Sequence, residues 1–597
     1  MNPNSKDKDL ISKANLSPNA SKNLEAWLAD TIDPEIKDAL RKKLSQDPKS
    51  LEADFFSSLS FGTGGVRALM GLGSAKLNTV TLGLITQGLA NHLKKKYPNE
   101  PLRTVIGFDS RHNAHTFSKH ISEIFAANGI EVFLLKELRP TPFISFLLRH
   151  LKCHAAVNLT ASHNPKEYSG YKVYGSDGAQ VVSPEDKAIV EEVKKVASYS
   201  DVKISATSNA HIHEIGSDYD SAYLDANRAL QLNSTQNKDN GSNLSIVYSP
   251  LHGTGITLVP RLIADWGFSN THLVESQITP DGDFPSVEKP NPEEPEALKN
   301  GTDLLNQVKG DIFIATDPDA DRIGAVIRHH DEPIRLTGNE MASILLNYIL
   351  ETLKSQNKLN SKSTCIKTIV TTELFKEICA AHSVDCLDTL TGFKYIGKKI
   401  HEWEQEENGR TFVFGAEESY GCLYGTCARD KDAILAAGLI AECALDAKLQ
   451  NKTLINKLYE LYERFGIHRQ KLSSIDFEPG PGVQEKVTGI LENLRKSPPK
   501  EIAELKVARI SDYEKSVMID LASSASKPIT LPKSNVLTFH FEEGGQLTLR
   551  GSGTEPKLKV YSELKMPAKE NLLTNIHHLD QKLEILNKTF EFKHCVK

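Results

Sequence analysis

Thr160-Ala161-Ser162-His163-Asn164-Pro165 follows the apolar run His154 to Leu159, and this junction sets the reading of the fold. The run reads as a short buried strand, which puts Ser162 at its C-terminal end, where ligands gather in α/β sheets. Asn164 favours a turn and Pro165 closes it. Lys172, in Tyr168-Ser169-Gly170-Tyr171-Lys172, can return a cation to the same place. A serine beside a histidine is by itself an ordinary turn, so the surrounding chain has to carry the argument.

Outward from this loop the pattern alternates strands with amphipathic helices. Thr104 to Phe108 reads as a strand, Phe117 to Asn128 as a helix and Glu131 to Leu135 as a strand. That βαβ rhythm predicts a mostly parallel sheet. A second unit carries strands Ser245 to Tyr248 and Asp311 to Ala315 and is interrupted by a polar, low-complexity insert, Gln231 to Asn243. A third begins near Gly338, with a helix to Leu353 and strands Ile366 to Thr371 and Thr411 to Phe414. The last unit differs: strands Val536 to Phe541, Gln546 to Leu549 and Lys557 to Tyr561 precede a helix over Lys569 to Leu586, an α+β pattern. Ahead of all this, residues 1 to about 22 are rich in Asn, Ser and Lys and are expected to be disordered. Asp33-Pro34 then supplies an N-cap and a first-turn proline for a helical arm over Glu35 to Leu44.

With 597 residues the chain exceeds one hydrophobic core. Its net charge of -6 and pI of 6.4 give no general field for nucleic acid, so any anion site has to be local. The first residues lack an apolar signal segment, and the best apolar run, Ala433 to Leu445, is short for a membrane span and contains Glu442. It reads as a buried helix. Eight cysteines without a C-x-x-C pair argue against a zinc site or disulfide framework and for a reducing cytoplasm.

Chemistry concentrates in five further loops. Asp317-Pro318-Asp319-Ala320-Asp321-Arg322 follows a strand and can converge three carboxylates on a hard divalent cation. An EF-hand starts with the same spacing, but its glycine position is Arg322 and its terminal glutamate position is Arg328. In Phe414-Gly415-Ala416-Glu417-Glu418-Ser419-Tyr420-Gly421, Glu417 and Ser419 can face a cleft together and bind sugar hydroxyls. Arg550-Gly551-Ser552-Gly553-Thr554-Glu555-Pro556 can form an anion nest with Arg550, Ser552 and Thr554 as donors. Gly392-Phe393-Lys394-Tyr395-Ile396-Gly397-Lys398-Lys399 nearly matches a Walker A loop but ends in Lys399, so an ATP site is rejected; Lys394 stays as a candidate base. Phe61 to Arg67 is a glycine turn presenting Arg67.

Taken in order, these loops resemble the α-D-phosphohexomutase superfamily over about residues 50 to 565. The helical arm, FGTGGVR and TGFKYIGKK look most like its phosphoglucomutase and phosphopentomutase branch. The resemblance implies an α/β fold of four domains, three related mixed-sheet domains and a smaller C-terminal α+β domain, around a central cleft. The expected divisions are an N-terminal segment and arm over 1–50, then domains over 51–205, 206–335, 336–468 and 469–597. It implies Ser162 as phosphoryl carrier and Mg²⁺ held by Ser162 phosphate with Asp317, Asp319 and Asp321. Arg322 would brace that loop, while Arg67, His163 and Lys172 would stabilise charge on the moving group. Glu417 and Ser419 would bind sugar hydroxyls, Arg550, Ser552, Gly553 and Thr554 the other phosphate, and Lys394 would be general base or acid.

The implied activity is interconversion of a sugar 1-phosphate with its 6- or 5-phosphate through a sugar bisphosphate. Phosphomannomutase, phosphopentomutase, phosphoglucosamine mutase and glucose 1,6-bisphosphate synthase are alternatives within the class; an inactive regulatory homologue is the alternative outside it. Ser169 before Gly170, where relatives often have Asn, and Gly551, where proline is common, bear on sugar preference. The expected partner is a sugar phosphate, with no nucleic acid or membrane, in a monomer or homodimer.

Overall fold

A computed structural model describes residues 5–59, 61–62, 64–204, 210–477, 483–551, 557–568 and 571–595. The chain forms three mixed α/β sheet domains and a C-terminal antiparallel-sheet domain. By chain contacts it divides into two compact units. The first comprises 1–326, 397–407 and 421–442; the second comprises 327–396, 408–420 and 443–597.

The first sheet orders its strands Gly65–Leu69, Tyr168–Gly175, Ala155–Leu159, Arg103–Phe108, Glu131–Leu135, Ile212–Ile215. The four at one end run parallel, because helices cross between them; Tyr168–Gly175 and Gly65–Leu69 run antiparallel to their neighbours. Ala155–Leu159 is buried along its whole length, as its uninterrupted apolar run requires. The second sheet is built on parallel pairs of Ile246–Ser249 with Thr271–Leu273 and with Ile312–Thr316. In the third, Ser363–Thr368 pairs in parallel with Asp385–Thr389 and Thr411–Glu417. The last sheet has eight strands, antiparallel throughout its recorded pairings.

One expectation is corrected. Ser5–Lys13 and Pro18–Ala29 are helices, not disordered chain. Ile11, Ala14, Leu24, Trp27 and Leu28 are buried with Leu40, Leu44, Leu51 and Phe55 in one core, so a polar composition hid an amphipathic face. The polar insert also packs. Ser234–Asn240 is helical, and buried Asn237 donates to buried Glu442, which also accepts the Leu232 and Asn233 N–H groups.

The remaining elements fall close to their predicted places. The arm helix is Pro34–Gln46, with Asp33 Oδ1 accepting from Glu35 N–H at 2.8 Å. Gly338–Ser355, Ala433–Leu449 and Leu572–His594 are the long helices anticipated near those positions. Among the described residues no helix is long and apolar enough to cross a membrane.

Candidate active site

Ser162 follows its strand in a left-handed conformation, φ 52°, which a non-glycine residue holds only when its surroundings fix it. Those surroundings are specific. The Ser162 N–H donates to Thr160 Oγ1 at 2.8 Å. The buried Arg111 guanidinium donates to the carbonyls of Ser162 (2.6 Å), Asn164, Pro165 (2.8 Å) and Tyr168 (2.9 Å), gathering the loop around one cation. Asp109 lies 3.3 Å from that guanidinium and is also buried. Gly170 lets the returning strand close on the loop; a Cβ there would fall 2.3 Å from Thr160 O.

Register then delivers the cation that the sequence suggested. Asn158, near the end of the serine's strand, pairs with Lys172. Lys172 Nζ reaches Asp319 Oδ2 at 2.7 Å and Asp321 Oδ2 at 3.1 Å.

The aspartate loop follows strand Ile312–Thr316 and folds on itself. The Asp321 and Arg322 N–H groups donate to Asp317 Oδ1 at 3.1 and 3.0 Å, with Ala320 between them at φ 49°. Thr141, at the start of helix Thr141–His150, holds Asp319 twice: its N–H donates to Asp319 O (2.8 Å) and its hydroxyl to Oδ2 (2.7 Å). Ser162 Oγ donates to Asp317 Oδ2 at 2.6 Å. Lys431 Nζ stands 3.2 Å from Asp321 Oδ2, and Arg322 donates to Glu293 at 2.6 Å. The structure therefore brings together Ser162, Asp317, Asp319, Asp321, Lys172 and Arg322. Half-buried His163 is next in the chain, and Arg67 donates to Asn164 Oδ1 at 3.2 Å.

The electrostatics are those of a cation site. All three aspartates are buried, and one oxygen from each lies within 4.8 Å of the others. Burial, then the neighbouring Asp319 and Asp321, pushes the Asp317 carboxyl well above its ordinary range. Burial acts the same way on Asp321, but Lys172, Lys431 and Arg322 outweigh it and hold that carboxyl low. Lys172 is held protonated, because Asp319 and Asp321 outweigh the cost of its burial. Asp319 Oδ1 and Asp321 Oδ1 are buried without a hydrogen-bond partner. Three convergent carboxylates with two unspent oxygens fit a hard, oxygen-seeking divalent cation.

A second cluster lies in the other compact unit. Glu417 ends strand Thr411–Glu417, is buried, and accepts the Gly392 N–H at 2.8 Å. That bond ties the Glu417 turn to the loop carrying Lys394, in the first turn of helix Phe393–Gln405. Ser419 is half-buried in the turn. Glu418 Oε2 accepts from Thr368 Oγ1 at 3.2 Å, and Thr368 in turn meets Thr371 Oγ1 at 2.9 Å. Buried Lys367 locks this segment, reaching the Thr371 carbonyl at 2.9 Å and Glu373 at 2.8 Å. Arg550 lies on strand Gly545–Gly551 and hydrogen-bonds the Tyr561 hydroxyl. Ser552, Gly553 and Thr554 lie outside the described residues.

Sequence reasoning missed Arg111, Thr141, Lys431 and Thr368. Arg111 had a signal available: Asp109-Ser110-Arg111 directly follows a strand of the same sheet. The other three are single polar residues with no local pattern.

The chain is similar to known proteins. Residues 58–200, 221–330 and 337–465 match the family models "Phosphoglucomutase/phosphomannomutase, alpha/beta/alpha" domains I, II and III. A phosphoglucomutase of Staphylococcus aureus (strain USA300) is 35% identical over 562 residues, 94% of this chain and 98% of that one. In fold, the chain is similar to a phosphoglucomutase/phosphomannomutase family protein of Burkholderia thailandensis (TM-score 0.60, 16% identity, 88% of this chain and 97% of that one). It is also similar to Paramecium parafusin, a phosphoglucomutase, in its open form (TM-score 0.65, 16% identity, 90% and 96%). The chain belongs to the phosphoglucomutase/phosphomannomutase family of the α-D-phosphohexomutase superfamily. Within it, the chain is an isomerase of the phosphoglucomutase type, a phosphosugar mutase with a candidate metal site of three aspartates.

Proposed function

We propose that this mutase moves a phosphoryl group between the 1 and 6 positions of glucose, with Ser162 as the carrier and Mg²⁺ as the resident cation. The observation that carries the reading is the 2.6 Å contact of Ser162 Oγ with Asp317, beside a carboxylate pair already bridged by Lys172. The near full-length likeness to a phosphoglucomutase supports glucose as the sugar. Eight free thiols support a reducing cytoplasm as its compartment.

Asp317, Asp319 and Asp321 would hold the cation together with the serine phosphate. When bound, Mg²⁺ supplies neutralisation of the charge spread over the transferring phosphoryl oxygens. The protein does the rest by positioning. Arg111 fixes the Ser162 backbone, and Lys172, Arg67 and His163 face the phosphate that Ser162 carries. Arg322 braces the carboxylate loop.

A sugar hydroxyl attacks the phosphorus on Ser162. The new phosphorus–oxygen bond forms as the bond to Oγ breaks, and Lys394 takes the hydroxyl proton in this reading. Ser162 Oγ then attacks the other phosphate of the bisphosphate. The proton taken from one sugar oxygen is given to the other, so the cycle balances. Glu417 and Ser419 would hold the hydroxyls, and Arg550 with Ser552, Gly553 and Thr554 the phosphate not being transferred.

The test is kcat/KM on the 1-phosphates of glucose, mannose, ribose and glucosamine, with Mg²⁺ and catalytic glucose 1,6-bisphosphate. Glucose 1-phosphate should lead. A clear preference for the aminosugar would contradict the assignment.

A further inference from the structure

Buried Glu563 lies on strand Lys557–Met566 of the last sheet and gathers donors from two domains of the second unit. From its own sheet, His468 Nδ1 and Gln470 Nε2 reach its Oε1 at 2.9 and 3.1 Å. From the third domain, the Thr372 hydroxyl donates to the same oxygen at 2.7 Å, and the Glu373 N–H donates to Oε2 at 3.1 Å. Gln470 Nε2 also donates to Thr372 Oγ1 at 2.9 Å. None of the roles above uses this carboxylate.

Sheet register makes Glu563 the middle of a row. Gln470, Glu563 and Gln546 oppose one another across three adjacent antiparallel strands, so their side chains share a face. Gln546 Nε2 donates to Ile369 O at 3.3 Å. The row therefore holds residues 369–373 at Ile369, Thr372 and Glu373. Two residues along the strands, Tyr561 and Thr548 form the next row on the same face, and Lys559 and Arg550 the one after. Arg550 thus stands four residues, about 14 Å of strand, from the clamped Gln546. Tyr561 joins Ile369, Val370 and Leu390 in one apolar cluster, and its hydroxyl meets Arg550. On the third-domain side, residues 369–373 continue from strand Ser363–Thr368, whose last hydroxyl holds Glu418 at 3.2 Å.

Apolar side chains would join these two surfaces without the cost of desolvating a carboxylate, but they would let the surfaces slide. Directional bonds from four residues to one carboxylate fix a register instead. We infer that Glu563 is a positioning residue for the mutase reaction: it locks the strand bearing Arg550 at a set spacing from the turn bearing Glu417 and Glu418. The inference rests on the roles given above to Arg550 and to that turn, a grip on the fixed phosphate and a grip on the sugar hydroxyls. With the spacing lost, one sugar phosphate cannot satisfy both grips at once. The loss falls on binding shared by substrate and transition state, and so on KM rather than kcat.

The experiment is a double-mutant cycle on the full-length protein, read as KM and kcat for glucose 1-phosphate with Mg²⁺ and catalytic glucose 1,6-bisphosphate. Glu563→Gln keeps the shape and removes the oxygen that accepts the Glu373 N–H. It should raise KM at least about tenfold and leave kcat within about threefold. Gln546→Leu frees Ile369 O from the other end of the row and should raise KM at least about threefold, which decides the matter if Glu563→Gln does not fold. In an Arg550→Ala background each substitution should change KM less than about twofold, because the grip it positions is already gone. A merely structural role would give the same factor in both backgrounds, and that result would overturn the inference. So would a KM that responds to Arg550→Ala and ignores both row substitutions. A KM indifferent to Arg550→Ala would refute the phosphate role itself, and the inference with it.

Discussion

Replacing Lys172 by Met tests how the carboxylate site is balanced. Met keeps the length of the side chain and removes the ammonium, so the packing survives and the charge does not. In the native protein that ammonium bridges Asp319 at 2.7 Å and Asp321 at 3.1 Å, and Lys172 is 5% exposed. Breaking a buried, hydrogen-bonded ion pair from one side costs about 3–5 kcal/mol, because the other charge is left without compensation. Lys431, 3.2 Å from Asp321, and proton uptake by the stranded carboxylates recover part of that, so the low end, about 3 kcal/mol, is expected. Calorimetry of the metal-free variant should show the transition of the Ser162 unit lowered by several degrees.

Mg²⁺ should then stabilise the variant more than the wild type, because the cation no longer competes with an ammonium for Asp319 and Asp321. Stabilisation by a ligand reaches about 2.7 kcal/mol at a hundredfold excess over its Kd, enough to close most of the gap. Activity should not follow, since in the proposed mechanism Lys172 faces the moving phosphate. A fall in kcat/KM of at least about 100-fold is expected even with Mg²⁺ saturating. Unchanged thermal stability without metal, or kcat/KM within about threefold of wild type, would refute this account of the site.

Asp432 gives a pH prediction. It is buried, accepts the Tyr223 hydroxyl at 2.7 and 2.8 Å, caps helix Ala433–Leu449 through the Ile434 and Leu435 N–H groups, and has its carboxyl pushed up to about 6 by that burial. The folded chain keeps this proton between about pH 4 and 6 while the unfolded chain has lost it, so stability falls as pH rises through that window, by up to about 3 kcal/mol. Asp432→Asn should flatten that slope in denaturation series from pH 4.5 to 7.5; parallel curves for the two proteins would contradict it. Thr368→Val removes the hydroxyl that holds Glu418 and should raise the KM for glucose 1-phosphate about tenfold with little change in kcat, and Thr368→Ser should restore it. Equal loss in both variants would point to packing instead.

What the sequence disclosed and what it hid follow from locality. The aspartate loop was legible because its three candidate ligands fall within five residues, and Ser162 because its strand and turn are contiguous. Lys172 was legible as the return of a neighbouring strand. Arg111 and Lys431 act 51 and 110 residues from the groups they hold, across pairings that no local pattern announces. The N-terminal helices were hidden differently: Asn, Ser and Lys dominate the composition, while the few apolar residues that decide burial, Ile11, Leu24 and Trp27, are sparse. Average polarity is a poor guide where a short amphipathic helix needs only one residue per turn inside. Thr368 escaped because its partner, Glu418, belongs to a different strand end of the third sheet.

The direct measurement is mass-spectrometric mapping of phosphate after incubating the purified protein with glucose 1,6-bisphosphate and Mg²⁺. A single modified residue at 162, absent in Ser162→Ala together with all turnover, is the expected result. Label on another side chain, or an alanine variant that still equilibrates glucose 1- and 6-phosphates at the native rate, would mean that the hydroxyl beside Asp317 is not the carrier.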